Sequence, residues 1–385
     1  MQREELERIV NEIRGYYDTD STKMYPEEGR HPARTYLDGD WALREQHMLD
    51  RFPQIVGHAS QIPEPGDFYT DDTTGKPLLI VRQEDGSVKA FLNICRHRAA
   101  RLCDEESGRK KVFVCPYHAW SFRRDGGLQS VPRPEGFCNV EKADLGLFEM
   151  PVEVRHGLIW VVPTVGAEID VANHLGGFDE ELSSFNMDDM VQERAEILTF
   201  DMNWKFVVDG FLEVYHFAKL HQNSIAPYFH GWHSPYEARG QNGRLVGVRK
   251  AFDKVNETGP DGISTEDLLK TIALNYVLFP NTVLVWQADH FECWTAYPGE
   301  TPEDCVVRVQ SITTREQASE EHKPKWEKNW KILIGTVVAE DWAVSKTIQE
   351  SIHAMPDDTM LFGRNEPGLQ HFHTRLIEQV EEING

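Results

Sequence analysis

The sequence predicts an α+β protein in which a small all-β domain is inserted near the front of a larger α+β domain. Three observations lead there. From about residue 40 to 160 the chain reads as short apolar runs punctuated by turn signals, the mark of short strands. From about residue 190 onward strand-like and helix-like patterns mix. Both ends carry apolar residues at helical spacing.

At the front, Leu6, Ile9, Val10 and Ile13 predict an amphipathic helix over residues 3–16. Pro77-Leu78-Leu79-Ile80-Val81, then Asp85-Gly86, then Val88 to Ile94 predict a β-hairpin. Gly126-Gly127 and Arg133-Pro134-Glu135-Gly136 are expected as turns, and Leu158 to Val162 as a strand. Tyr276 to Trp286 reads as two strands meeting at Pro280-Asn281, and Val306 to Thr313 as another. Trp326 to about Ile352 is one long helical pattern. From Gly368 to Ile383, Leu369, Phe372, Leu376, Ile377 and Val380 mark a closing amphipathic helix. The expected division is a helical segment over 1–40 packing on the larger domain, the small β domain over 41–160, and the larger domain over 161–385.

Composition limits the function classes. A hydrophobic fraction of 40% and a charged fraction of 27% over 385 residues describe an ordinary globular chain. A formal net charge of −23 argues against nucleic acid or an anionic membrane as partner, because both would repel it. The most apolar region, Ile272 to Trp286, is broken by Asn275, Pro280 and Asn281, so no membrane span is expected. The opening MQREELERIV has no apolar signal core, and a cytoplasmic location is the expectation. No Gly-x-Gly-x-x-Gly is present, so neither a flavin nor a nicotinamide fingerprint is visible.

Of six cysteines, only Cys95 and Cys115 have metal-site spacing. Cys95-Arg96-His97 and Cys115-Pro116-Tyr117-His118 present two cysteine-plus-histidine pairs, each on a tight loop, able to grip a metal centre from two sides. If the centre holds two irons, the cysteines take one and the histidines the other. Neutral histidines in place of thiolates raise the reduction potential of such a cluster, which is a one-electron relay. A structural zinc finger is the competing reading, but it pairs like with like, Cys-x-x-Cys and His-x-x-x-His. Cys103, between the pairs, is expected as a buried free thiol.

Cys95-x-His97 with Cys115-x-x-His118, followed by Ala119-Trp120 and Gly127, resembles the Rieske motif of the ring-hydroxylating oxygenase large subunits. The resemblance implies an all-β Rieske domain in front of a helix-grip-like catalytic domain, an antiparallel sheet flanked by helices. A second part of the pattern lies downstream. Asn203-Trp204-Lys205 leads into Asp209-Gly210-Phe211-Leu212-Glu213-Val214-Tyr215-His216, and His221 follows. Two histidines and a nearby carboxylate are the raw material of a two-histidine, one-carboxylate iron site. Five residues turn an ideal helix by about 140°, so His216 and His221 can face one ion only if the helix bends or ends between them.

By resemblance His216 and His221 are ligands of a mononuclear Fe(II). The third is Asp341 in Glu340-Asp341-Trp342, among apolar Val337, Val338 and Val344, with Glu340 as the fallback. Asp188, Asp189, Asp357 and Asp358 are poorer candidates because they stand in turn-like acidic stretches. Glu213, three residues before the first histidine, takes the place of a carboxylate that bridges to a Rieske histidine of a neighbouring subunit. Many relatives carry Asp there, and Asn rather than Gly210. The glutamate resembles the subgroup acting on quaternary amines.

The resemblance further implies one Rieske [2Fe-2S] cluster and one mononuclear Fe(II) per chain, with O2 as cosubstrate. It implies a separate reductase, possibly with a ferredoxin, and a head-to-tail homotrimer or a multiple of one. The expected activity is hydroxylation or dihydroxylation of an aromatic or hydrophobic cyclic small molecule. A monooxygenase or demethylase of a quaternary ammonium compound is the alternative. A Rieske electron carrier without oxygenase activity is the reading from another class. Phe206, Phe211, Phe217, Tyr228, Phe229, Trp286 and Trp294 are pocket candidates, with core as the commoner role.

Overall fold

The computed structural model describes residues 1–139 and 141–384. The chain divides into two compact units, Leu49–His174 and the remainder, Met1–Met48 with Leu175–Gly385. Both divisions fall later than the sequence reading put them. The helix Gly39–Leu49 runs through the expected front boundary, and its Glu45 is bound to Lys205 of the larger unit. At the back, Thr164 Oγ1 donates to Asp50 O (2.6 Å) and Val171 N to Glu153 Oε2 (3.0 Å), which ties the residues after the Leu158–Val161 strand to the smaller unit.

The smaller unit is all-β in its sheets. A five-stranded antiparallel sheet runs in the order Glu149–Met150, Val88–Leu92, Leu78–Arg82, Asp67–Asp71, Ser107–Arg109. Two three-stranded sheets complete it. The expected hairpin forms with Leu78 opposite Leu92 and Arg82 opposite Val88. Its strands are apolar at nearly every position because each face has its own core. Leu79, Val81 and Phe91 pack with Cys95, Cys115 and Trp120, whereas Leu78, Ile80 and Ala90 pack with Val56, Ile159 and Val161. The hairpin therefore backs the metal loops with a dry layer. Arg133 takes a left-handed conformation (φ 54°), and the expected turn after it is a short 3-10 helix, Pro134–Phe137.

The larger unit is built on an eight-stranded antiparallel sheet. Its order is Met190–Phe200, Cys305–Thr314, His290–Pro298, Thr282–Trp286, Ile272–Leu278, Asn242–Arg249, Phe229–His230, with Tyr236–Arg239 also paired to Asn242–Arg249. The Pro280-Asn281 corner is where the sequence expected it. The helices Arg3–Thr19 and Pro367–Asn384 bury the apolar stripes read from the sequence. The long helical pattern near the end is not one helix. An α-helix over Lys323–Thr336 passes through a π turn, Val337–Asp341, into a second α-helix, Trp342–Ile352. A π turn is rare and strands one residue outside the regular ladder, so its presence at Asp341 marks a position held for a purpose other than helix stability. Val337 and Val338 are half-buried there, but Val344 is exposed in this chain, against the apolar setting expected for it. Among the described residues no helix is long and apolar enough to cross a membrane.

Candidate metal centres and active site

The two cysteine–histidine loops share one backbone design. Cys95 N donates to Ala100 O (2.8 Å) and Ala99 N to Cys95 O (2.9 Å); Cys115 N donates to Trp120 O (2.8 Å) and Ala119 N to Cys115 O (3.0 Å). Each loop closes through an alanine in the left-handed region, Ala99 at φ 54° and Ala119 at φ 59°. Such a conformation is uncommon for a residue with a Cβ, and it is over-determined here by the paired bonds. Both cysteines are buried and both histidines are half-buried.

His97 Nδ1 and His118 Nδ1 face each other at 3.2 Å, and the His97 ring stacks on Trp120 with centroids 5.0 Å apart. Two nitrogens bound to one metal at about 2.1 Å and roughly tetrahedral angles stand about 3.4 Å apart, so the histidine pair is spaced for one ion. Burial, His118 and Arg98 hold His97 below its ordinary pKa, which keeps it in the neutral form that ligates. Burial pushes the Cys95 thiol up, and neighbouring Cys115 adds to it, because two adjacent sulfurs disfavour a second negative charge. Among the described residues, no three of these four side chains bring ligand atoms within 4.8 Å of one another. That spacing fits a cysteine pair and a histidine pair serving different ions, and not one zinc tetrahedron.

The second cluster lies in the larger unit. The ligand atoms of His216, His221 and Asp341 all fall within 4.8 Å of one another. His216 Nε2 is 3.4 Å and His221 Nε2 3.2 Å from Asp341 Oδ1. Ligands at right angles around one ion at about 2.1 Å stand about 3 Å apart, so the donors fit one face of an octahedral site. The geometric reservation about the histidine spacing resolves itself: the helix between them, Phe217–Leu220, is a single turn, and both histidines flank it.

Each ring is held from behind. His216 Nδ1 bonds Glu213, whose other oxygen accepts from the backbone N–H groups of Tyr215 and His216. His221 Nδ1 is 2.6 Å from Glu340 Oε2, which also accepts from Ser224 Oγ (2.6 Å). Glu340, the fallback ligand, thus turns away from the cluster to orient His221. Burial disfavours the imidazolium of His216, yet bonds to Asp341 and Glu213 outweigh it and lift its pKa to about 9. His221 is raised likewise, against its burial, by Asp341 and Glu340. Asp341 is lowered, burial being outweighed by the two histidines. Three groups that hold positive charge this strongly are a cation site by electrostatics as well as by geometry. Asp188, Asp189, Asp357 and Asp358 are exposed and take no part in it.

The Asn203-Trp204-Lys205 motif anchors this loop. Asn203 Nδ2 donates to Pro302 O (2.7 Å), and Trp204 Nε1 to Glu45 Oε2 (3.0 Å). Lys205 Nζ reaches Glu45 (2.8 Å) and Thr35 O (3.0 Å) with both charged side chains fully buried. At the end of the same short helix, Lys205–Asp209, Asp209 accepts from Tyr36 (2.8 Å) and pairs with His373 (2.7 Å). The segment entering the ligand loop is therefore pinned at both ends by buried polar groups, as a precise ligand position requires.

The cluster opens on a cavity of about 650 Å³. Phe211, Phe217, Tyr228 and Phe229 line it as expected, while Phe206, Trp286 and Trp294 do not. Phe206 is buried against Tyr36, and Trp294 packs behind Phe211 and Trp342. The floor is the sheet itself: Gly247 faces Ala273 across one strand pair, and Asn275, Val285 and Glu292 lie in register across the next two. Arg249, Gln287, Asp289 and His290 line it too. None of these floor residues was singled out from the sequence as lining a site, because cross-strand register is invisible until strands are paired.

The catalytic-domain profile described as "Ring hydroxylating alpha subunit" matches residues 187–382, just over half of the chain. The chain belongs to this family. The Rieske [2Fe-2S] domain profile matches residues 52–147, inside the smaller unit. The cofactors of this Rieske oxygenase chain are accordingly a Rieske cluster and a mononuclear iron. It is 35% identical over 215 residues to the biphenyl 2,3-dioxygenase alpha subunit of Rhodococcus jostii RHA1, covering 52% of this chain and 45% of that protein. It is 31% identical over 193 residues to the glycine betaine monooxygenase oxygenase subunit of Chromohalobacter salexigens, covering 49% of this chain and 42% of that one. The chain thus spans a little under half the length of these relatives. In fold it is similar to a quaternary ammonium Rieske monooxygenase solved with L-carnitine, with a TM-score of 0.77 at 20% identity over 92% of this chain and 96% of that one. Naphthalene 1,2-dioxygenase from Rhodococcus sp. gives a TM-score of 0.74 at 16% identity over 99% of both chains.

Proposed function

We propose that the chain is the terminal oxygenase component of a multicomponent system that hydroxylates or dihydroxylates an aromatic or other hydrophobic cyclic substrate. The observation that carries this is the convergence of His216 Nε2, His221 Nε2 and Asp341 Oδ1 beside a cavity of about 650 Å³, in a chain that also has a Rieske domain. In this reading His216, His221 and Asp341 hold the mononuclear iron, Cys95 and Cys115 one cluster iron, and His97 and His118 the other. Residues 1–48 and 175–385 form the catalytic domain. The iron supplies dioxygen activation, and the cluster supplies electrons singly.

The protein's own part is positional. Glu213 and Glu340 each accept a hydrogen bond from the Nδ1–H of one histidine, so both rings keep Nε2 free to ligate. Phe211, Phe217 and Phe229 offer apolar walls that exclude water from the substrate. Glu213 is a positioning residue at the junction with a cluster histidine of the neighbouring subunit in a head-to-tail homotrimer. Tyr215, two residues on, is 68% exposed in the single chain, as a group at such a junction would be. A separate reductase, with or without a ferredoxin, delivers electrons in the cytoplasm.

A second reading, oxidation of a quaternary ammonium compound, is favoured by Glu213 in place of Asp and by the relatives acting on glycine betaine and L-carnitine. Metal analysis tests the common ground. Three irons and two acid-labile sulfides per chain are expected, with loss of one iron and all turnover in His216→Ala while the cluster spectrum persists. Two irons in fully loaded wild-type protein would make it an electron carrier instead. Oxygen uptake with aromatic acids, hydrocarbons and quaternary amines, with product identification, separates the two substrate classes.

A further inference from the structure

We infer that Arg249 anchors an anionic group of the substrate, so that this site takes a carboxylate carried on an apolar body; the inference rests on the oxygenase reading and narrows its substrate class. Arg249 ends the strand Asn242–Arg249 and lies on the cavity side with Gly247, two residues before it. Its guanidinium rests 4.6 Å from the centroid of the Phe229 ring. Nη2 donates to Gln287 Oε1 (2.6 Å) and Nε to Ile272 O (3.4 Å), while Nη1 has no acceptor among the described residues. Nor does Arg249 form an ion pair among them, although it is largely removed from water.

The nearby carboxylates are already matched. His290 lies 2.7 Å from Asp289 Oδ1 and 3.6 Å from Glu292 Oε1, and Lys325 Nζ is 2.6 Å from Asp289 Oδ2. Burial opposes the charge of His290, but those two carboxylates raise its pKa to about 9, so it is cationic at neutral pH. Asp289 and Glu292 attract the Arg249 charge as well, although neither bonds it, so two anions are shared among three cations and one positive charge is in excess. A half-buried guanidinium with a free N–H edge beside an apolar cavity is matched by a carboxylate, which accepts two parallel bonds from it. A bare quaternary ammonium group suits this wall poorly, because the cation already there repels it and covers the face of Phe229.

The test is equilibrium binding, by calorimetry on anaerobic holoprotein, of benzoate, 3-phenylpropionate and cyclohexanecarboxylate against their amides. Wild type is expected to bind at least one acid about 10- to 100-fold more tightly than its amide. Arg249→Gln should weaken acid binding far more than amide binding and so remove that preference while cluster absorption is unchanged, and Arg249→Lys should restore part of it. Because a carboxylate can also ligate iron, the series is repeated in His216→Ala. There the preference should persist even if the oxygenase reading fails, so the two failures are distinguishable. Equal binding of acids and amides, no binding of any acid, an acid preference intact in Arg249→Gln, or one abolished in His216→Ala, each overturns the assignment.

Discussion

Removing Glu340 should weaken iron binding without removing a ligand. Glu340 Oε2 is 2.6 Å from His221 Nδ1 and 2.6 Å from Ser224 Oγ, and His221 is 1% exposed, so the bond lies largely out of water. A hydrogen bond to a charged acceptor contributes about 1.5–3 kcal/mol and a neutral one about 0.5–1.5. Glu340→Gln keeps an acceptor but loses the charge, a loss of about 1 kcal/mol or somewhat more. Glu340→Ala loses the bond, about 2–3 kcal/mol, discounted toward the lower figure because the Glu340 side chain is 25% exposed. In iron affinity these become roughly 10-fold and roughly 30- to 100-fold, the range found when groups behind a metal-bound histidine are removed. Apo-protein titrated with ferrous iron against a competing chelator measures them, with the cluster absorption as internal reference. Asp341→Ala in the same assay should abolish binding. A Glu340→Ala variant with wild-type affinity, or a Glu340→Gln variant as empty as Asp341→Ala, would refute the division of labour between the two neighbouring carboxylates.

At saturating iron, Glu213→Gln should fill the site yet slow turnover by about 10- to 100-fold; unchanged single-turnover oxidation of the reduced cluster would contradict the positioning role. Lys205→Met leaves the fully buried Glu45 without its cation and should cost about 3–5 kcal/mol, read as a fall in thermal midpoint. The double variant with Glu45→Leu should recover most of it, and a neutral single variant would show that the pair does not anchor the loop. Ala273→Leu, opposite Gly247 on the cavity floor, should raise KM for bulky substrates more than for small ones; equal changes would place Ala273 outside the substrate's reach. His290 is raised from 6.5 to about 9, so its pairing stabilises the folded chain fully below about pH 6.5 and the contribution fades as pH rises through 9. The destabilisation by His290→Gln, on the order of 3 kcal/mol at pH 6 by urea unfolding, should therefore shrink by pH 10. A penalty equal at both ends would falsify the pairing.

Much of the fold was legible. The hairpin of Leu78–Arg82 and Val88–Leu92, the Pro280-Asn281 corner and both terminal helices follow from periodicity and turn chemistry. Where the reading fell short, tertiary contacts decided. The division before Leu49 depends on Glu45 meeting Lys205, 160 residues away. The break at Val337–Asp341 leaves no mark in a helical pattern, because the residues of a π turn are ordinary helix formers.

The sequence by itself picked out the candidate metal loops, since short loops bring their own residues together: Cys95 with His97, Cys115 with His118, and His216 with His221 across one turn, the ligand role of the last two being what the resemblance implies. The choice of Asp341 over the fallback Glu340 came from the resemblance, because periodicity alone does not separate the two. Adjacent residues leave a helix about 100° apart, so only one can point into the cluster, and the choice depends on the phase of the helix as it packs. Packing turns Asp341 to the two Nε2 atoms and Glu340 to the back of His221. The same holds for Arg249: any arginine in a strand looks paired or solvated until the sheet shows which carboxylates are already matched.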